Sequence, residues 1–146
     1  MGKHYVTLAN GSRINVVPQR GQLFVCELGC CCGQTERDFA PLSHGLYHTE
    51  WERRKLRNKV HLTFTACLGP CAVANVALLI FEGQSTWFHS LNSDDLVLAL
   101  YDYIENMLKA KRYLPPPAPL SDCVFAGYVP QDVGETKATR QPVALP

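Results

Sequence analysis

Residues 60–81, VHLTFTACLGPCAVANVALLIF, hold the ordering on which the fold turns. Val60, Leu62 and Phe64 alternate with His61, Thr63 and Thr65, the period-two pattern of a half-buried strand, predicted over 60–66. Val76 to Phe81 is a continuous apolar run of strand length. Between them lies Cys67-Leu68-Gly69-Pro70-Cys71, a loop with a cysteine at each end, so the first strand delivers Cys67 at its tip.

Upstream, QLFVCE at 22–27 is short, largely apolar and bounded by Gly21 and Gly29, which predicts a second strand ending in Cys26. The Gly- and Cys-rich stretch that follows, GCCCG, reads as a loop. Earlier still, YVTLANGSRINVV at 5–17 sets Asn10-Gly11 between two alternating stretches, a hairpin signal. Thr49 and Glu52 have capping-box spacing, and TEWERRKLRN predicts a short helix from Thr49 with Trp51 and Leu56 on its apolar face.

Downstream, Glu82 to Ser85 reads as a turn and Thr86 to Leu91 as the return strand of a hairpin. Ser93 then caps a helix with Asp94 and Asp95 in its first turn, and Leu96, Val97, Leu100, Ile104 and Leu108 form its buried stripe. Tyr101 and Tyr103 on that helix, and Trp87 and Phe88 on the strand, are read as packing residues. Pro115, Pro116, Pro117 and Pro119 are expected to end regular structure, with a mobile tail from about Gly127. The order strand, helix, strand, hairpin, helix makes an α/β or α+β sheet carrying helices. It divides into an N-terminal extension or hairpin at 1–20, a core domain at 21–112 and a Pro-rich tail at 113–146.

The chain's 146 residues suit one such domain. A formal net charge of +1 gives no field to draw the whole molecule onto nucleic acid or an anionic membrane, so neither partner is expected. No apolar run has spanning length and the start is polar, which together point to a cytoplasmic protein. There seven cysteines are better read as metal ligands or redox thiols than as a disulfide framework.

Two cysteine groups sit at two strand-to-loop junctions that a parallel sheet would bring together: Cys26 with the run Cys30, Cys31 and Cys32, and Cys67 with Cys71. Four thiolates converging there suit a [2Fe-2S] cluster, because soft iron and bridging sulfide are matched by sulfur ligands. The run has more thiols than one cluster takes, and the residues alone do not choose among its three members. Gly69 and Pro70 shape the second loop, whose amides can donate to sulfur. Zinc on the same thiolates, or on three of them with His44 or His48, is the competing metal reading, although the x4 and x3 spacings differ from zinc knuckles. Thiol catalysis is a further class, but there is no CxxC before a long helix. Cys123 stands alone and is read as a buried small hydrophobe. His4, His61 and His89 are read as structural or solvated, the last two on strand surfaces. The basic run Arg53, Arg54, Lys55, Arg57 and Lys59 is read as a solvated helix face, or as a docking patch for an acidic redox partner.

The stretches FVCELGCCCGQTERDFAPL, TEWERRKL, VHLTFTACLGPCAVANVALLI and TWFHSL, together with the acid-capped helix, resemble the thioredoxin-like [2Fe-2S] ferredoxins from about Gln22 to Leu108. The resemblance implies a thioredoxin-like mixed sheet of about four strands flanked by two helices, a surface cluster, often a homodimer, and a one-electron carrier serving a protein redox partner rather than an enzyme. The spacing Cys26-x4-Cys31, x35, Cys67-x3-Cys71 is the family's, so it favours Cys31 over Cys30 and Cys32. VCELGCCCGQTER, CLGPCAVANV and RYLPPPAPLSDCVF look like a bacterial branch associated with cobalt chelation in cobalamin synthesis. The cysteine run departs from the wider family, where one cysteine is common. The alternative function is a non-redox metal-binding protein that holds zinc, or hands iron or cobalt to a partner, on the same cysteines.

Overall fold

The structure is a computed structural model that describes residues 3–27, 29 and 31–128. It is mixed α/β: a two-stranded hairpin, β1 (His4–Thr7) with β2 (Arg13–Val16), and a separate five-stranded sheet. That sheet contains β3 (Gly21–Cys26), β4 (Val60–Thr65), β5 (Ala77–Phe81), β6 (Gln84–Phe88) and β7 (Val124–Phe125), in the order β4-β3-β5-β6-β7. β3 and β4 are parallel, with Gly21 opposite Val60 and Cys26 opposite Thr65; the other pairings are antiparallel. The parallel pair follows from the helical crossover between its strands, α1 (His44–Arg53). Two further helices, α2 (Asp94–Ala110) and the short α3 (Ala118–Ser121), complete the fold. Among the described residues no helix is long and apolar enough to cross a membrane.

Strand alternation gives the sheet two different faces. Leu23, Val25, Leu79, Phe81, Phe88 and Val124 pack with Tyr47 of α1 and with Val97, Leu100, Tyr101, Ile104 and Met107 of α2. Both long helices therefore lie on this face. The opposite face carries Phe24, Cys26, Leu78, Trp87 and Phe125, and there the covering groups are Cys31, Cys32 and Phe39 from the loop after β3, with Leu68 from the loop after β4. One face is the helical core; the other is roofed by the cysteine loops.

Several local expectations are met. The Asn10-Gly11 hairpin forms in the register Val6 opposite Ile14. Ser93 caps α2, its hydroxyl accepting the N–H of Leu96 at 3.2 Å, and Tyr101, Tyr103, Trp87 and Phe88 are buried.

Others are corrected. α1 begins at His44, five residues before the Thr49 start, so His44 and His48 are helical and the Thr49-x-x-Glu52 box lies inside the helix. Leu56, expected on that helix, lies in the loop beyond it, although it is buried. Burial of Tyr47 and Glu50 recruits the earlier turn, and tertiary packing outweighs the capping signal. The turn after β5 is two residues, not four: Glu82 and Gly83 both have positive φ (49° and 79°), which suits the twist of a tight hairpin, and β6 consequently runs from Gln84 to Phe88. Regular structure resumes within the proline run, α3 starting directly after Pro117 with Pro119 in its first turn, and β7 joins the sheet edge. The tail from residue 129 lies outside the described residues.

The basic run is also reassigned in part. Arg54 is not solvated: its side chain is 8% exposed and bonds Glu50, Asp102 and Glu105. Arg53 bonds Glu50 and Arg57 bonds Glu52. Three of the five cations thus tie α1 to itself, to its loop and to α2. His89 falls just past β6, its Nδ1 at 2.8 Å from the Ser90 hydroxyl and its Nε2 buried without a partner, so it is not surface-facing.

Candidate metal centre

Parallel pairing of β3 and β4 brings the two cysteine loops to one end of the sheet, as the spacing predicts. Cys26 ends β3 and is 1% exposed. Its chain neighbour Gly29 lies against the second loop: a Cβ there would come within 3.1 Å of both Cα and Cβ of Cys67 and 3.3 Å of the Cys26 sulfur. A side chain there would have to push the Cys67 backbone away by a few tenths of an ångström, which glycine avoids.

Cys32 is fully buried and packs in the same cluster of side chains as Cys26. Burial first, then the Cys26 thiol, pushes Cys32 up to about 12, with the Cys67 thiol adding to the effect. The Val76 N–H donates to the Cys32 sulfur at 3.5 Å and partly opposes the shift. Cys67 is exposed and accepts the N–H of Gly69 at 3.3 Å, one of the amide-to-sulfur bonds expected of this loop. Cys31 is half-buried at the edge of the same cluster. Cys71 opens a 3₁₀ turn, Cys71–Val73, four residues along the chain from Cys67. Cys30 lies outside the described residues. Cys123 is buried beyond this group, where burial raises its thiol as for a packing residue.

Among the described residues no three His, Cys, Asp or Glu side chains are gathered tightly enough to hold a metal ion. The donor chemistry nonetheless fits a thiolate-bound centre. Thiols packed together resist losing their protons, and a positive metal centre between them is what would make the thiolates stable. His44 does not join them: its ring stacks on Phe64 at 4.0 Å and its Nδ1 lies 2.9 Å from Glu27. His48 points along α1 toward Glu52, 4.0 Å away.

A residue that motif reading passed over organises the site. Asn75 is 1% exposed and bonds in four directions. Its side-chain oxygen accepts the N–H of Gly33, and its side-chain nitrogen donates to the carbonyls of Ala40 and Pro41. Its own N–H donates to the Asn92 side chain at 2.9 Å, and its carbonyl accepts the N–H of Leu91. Asn75 thus holds the cysteine loop to the entry of β5 and the approach to α2. Its signal in the sequence is one amide inside the apolar run AVANVALLI.

No family model and no curated protein matches the chain. Among solved structures, a cysteine-to-serine variant of the thioredoxin-like [2Fe-2S] ferredoxin from Aquifex aeolicus is similar at 17% identity over 64% of this chain and 92% of that chain, with a TM-score of 0.43. At that level the likeness decides nothing about this chain's cofactor.

Proposed function

We propose that this chain is a [2Fe-2S] electron-transfer protein, with the cluster held by Cys26, Cys31, Cys67 and Cys71. The observation that carries the reading is the meeting of two cysteine loops across Gly29, at the shared end of two parallel strands. A [2Fe-2S] cluster supplies one-electron chemistry when bound. On this reading Cys26, Cys31, Cys67 and Cys71 would hold the cluster, while the chain directs the Gly69 N–H at the Cys67 sulfur and packs Phe24, Phe39 and Trp87 on the inner side.

A specific observation favours a second assignment within the run, since Cys32 is fully buried in the cluster of side chains that holds Cys26, whereas Cys31 is half-buried at its edge. Single serine replacements separate the two. If Cys31 is the ligand, Cys31→Ser alters the cluster spectrum and Cys32→Ser leaves it; the reverse result assigns Cys32. The finer role, service to a reductase or to cobalt chelation in cobalamin synthesis in the cytoplasm, rests on the sequence likeness of the CCCG and CLGPC stretches.

The surplus of thiols supports the alternative of a metal-handling protein, in which an extra cysteine receives or releases zinc, iron or cobalt. Absorption and low-temperature EPR of protein purified without oxygen, before and after dithionite, with iron and acid-labile sulfide counted, decide between them. A coloured protein that bleaches on reduction and gives a reduced [2Fe-2S] signal is expected. A colourless, sulfide-free, metal-loaded protein would overturn the carrier reading.

A further inference from the structure

Among the described residues, no other strand or helix packs extensively on the N-terminal hairpin. Every residue of β1 and β2 is exposed except the half-buried Val16, and a two-stranded hairpin alone is marginal in water. Yet five of the eight large exposed hydrophobics among the described residues belong to it: Tyr5, Val6, Leu8, Ile14 and Val17, at 41–54%. The register sorts them. Val6 faces Ile14 across the ladder and His4 faces Val16, so these share one face, which Leu8 continues into the turn. On the other face Arg13 stacks over Tyr5 at 4.5 Å. An apolar face of this kind on an otherwise polar surface marks an interaction site.

Charge says what would cover it. Residues 3–20 include Lys3, Arg13 and Arg20 and no carboxylate. The cysteine end of the sheet has the opposite balance. Glu27 follows β3, Glu36 and Asp38 lie in the cysteine loop, and Asp94 and Asp95 open α2, with Asp94 accepting a bond from Ser43 beside that loop; Arg37 is the one Lys or Arg among them. The far end, where β3 and β4 begin, carries Lys59 and Lys109 in adjoining clefts, beside Arg20 and Arg54, whose charges are met by Glu82 and by Glu50, Asp102 and Glu105. The six-residue strands separate these ends by about 17 Å.

We propose that the hairpin is an arm that docks on the cysteine end of a second copy of this chain, in a two-fold pair laid head to tail. The hairpin leaves the body at the basic end, just before Gly21, so an antiparallel neighbour presents its acidic cysteine end beside it. One arm is too small for the roughly 800 Å² per partner that a stable interface needs, but a two-fold axis makes each chain give one arm and receive another. The arm then lies across the partner's thiolate rim and shields it from water. Lys59 and Lys109 at the far end then face the neighbour's acidic end.

Sedimentation of the full-length chain tests the pairing. A dimer that weakens in high salt is expected, and Val6→Thr with Ile14→Thr, which keep β-branched side chains at these exposed paired positions, lowers association by more than about tenfold without changing the circular dichroism. In a mixture of light and nitrogen-labelled chains, carbodiimide coupling is expected to join Lys3 to Glu36, Asp38 or Asp95 between chains. A monomer, a dimer indifferent to the hairpin substitutions, or coupling confined to one chain would each overturn the proposal. So would a monomer whose hairpin instead holds anionic vesicles. Mass and coupling do not depend on the colour of the protein, so this test and that of the cluster fail separately.

Discussion

The side-chain oxygen of Asn75 accepts the backbone N–H of Gly33 at 2.7 Å, joining the approach to β5 to the cysteine loop 42 residues earlier. Asn75→Leu removes that acceptor and strands the carbonyls of Ala40 and Pro41, each bonded by the same amide. Unmade bonds at a buried site cost more than the bonds themselves contribute, so a loss of about 2–3 kcal/mol is expected from urea unfolding, with less iron retained. Asn75→Asp keeps the acceptor but sets a buried carboxylate against the two carbonyls, and is expected to cost at least as much at neutral pH.

Gly29 and Gly45 make a matched pair. A methyl at Gly29 would press on Cys67 and the Cys26 sulfur, whereas at Gly45, within α1, it would meet nothing within 4 Å. Gly29→Ala is expected to cost about 1–3 kcal/mol and to change the absorption spectrum of the centre. Gly45→Ala is expected to stabilise by about 0.5 kcal/mol, through helix propensity, with the spectrum unchanged. Equal behaviour of the two variants would mean that the loops do not meet at Gly29.

Glu50 makes stability depend on acid. Its carboxylate is held down to about 2 by the hydrogen bond from Arg53 first and by Arg54 next, against a burial that pushes upward. The folded value lies below the ordinary one near 4.5, so this contribution is complete above that pH and is lost as pH falls toward about 2. The melting temperature of the native chain should therefore drop more steeply in that window than that of Glu50→Gln, which is less stable at neutral pH by about 2 kcal/mol. Parallel curves would assign the acid sensitivity elsewhere.

Tyr101 locks the two long helices together, its hydroxyl donating to the backbone carbonyl of Tyr47 at 2.7 Å with both rings buried. Tyr101→Phe keeps the packing and loses the bond, so about 1 kcal/mol is expected from thermal or urea unfolding. A loss several times larger would show that the hydroxyl holds more than this one contact.

Local chemistry determined more of this protein than its length suggests. Alternation in VHLTFTA placed β4, Asn10-Gly11 placed the hairpin, and Ser93 with two aspartates placed α2, because each signal acts within a few residues. The neighbouring β3 and β4 ends, and with them the closeness of Cys26 and Cys67, were also legible, since a strand-helix-strand order calls for a parallel crossover. What only the tertiary structure decided depends on groups far apart in the chain. Burial of Tyr47 against Tyr101 moved the start of α1, and the sheet edge gave the segment after the prolines a strand to pair with. Asn75 became a four-way bracket only because Gly33, Ala40, Pro41, Leu91 and Asn92 came to surround it. A polar group withdrawn from water must find its partners wherever the fold places them, and no local pattern names partners that distant.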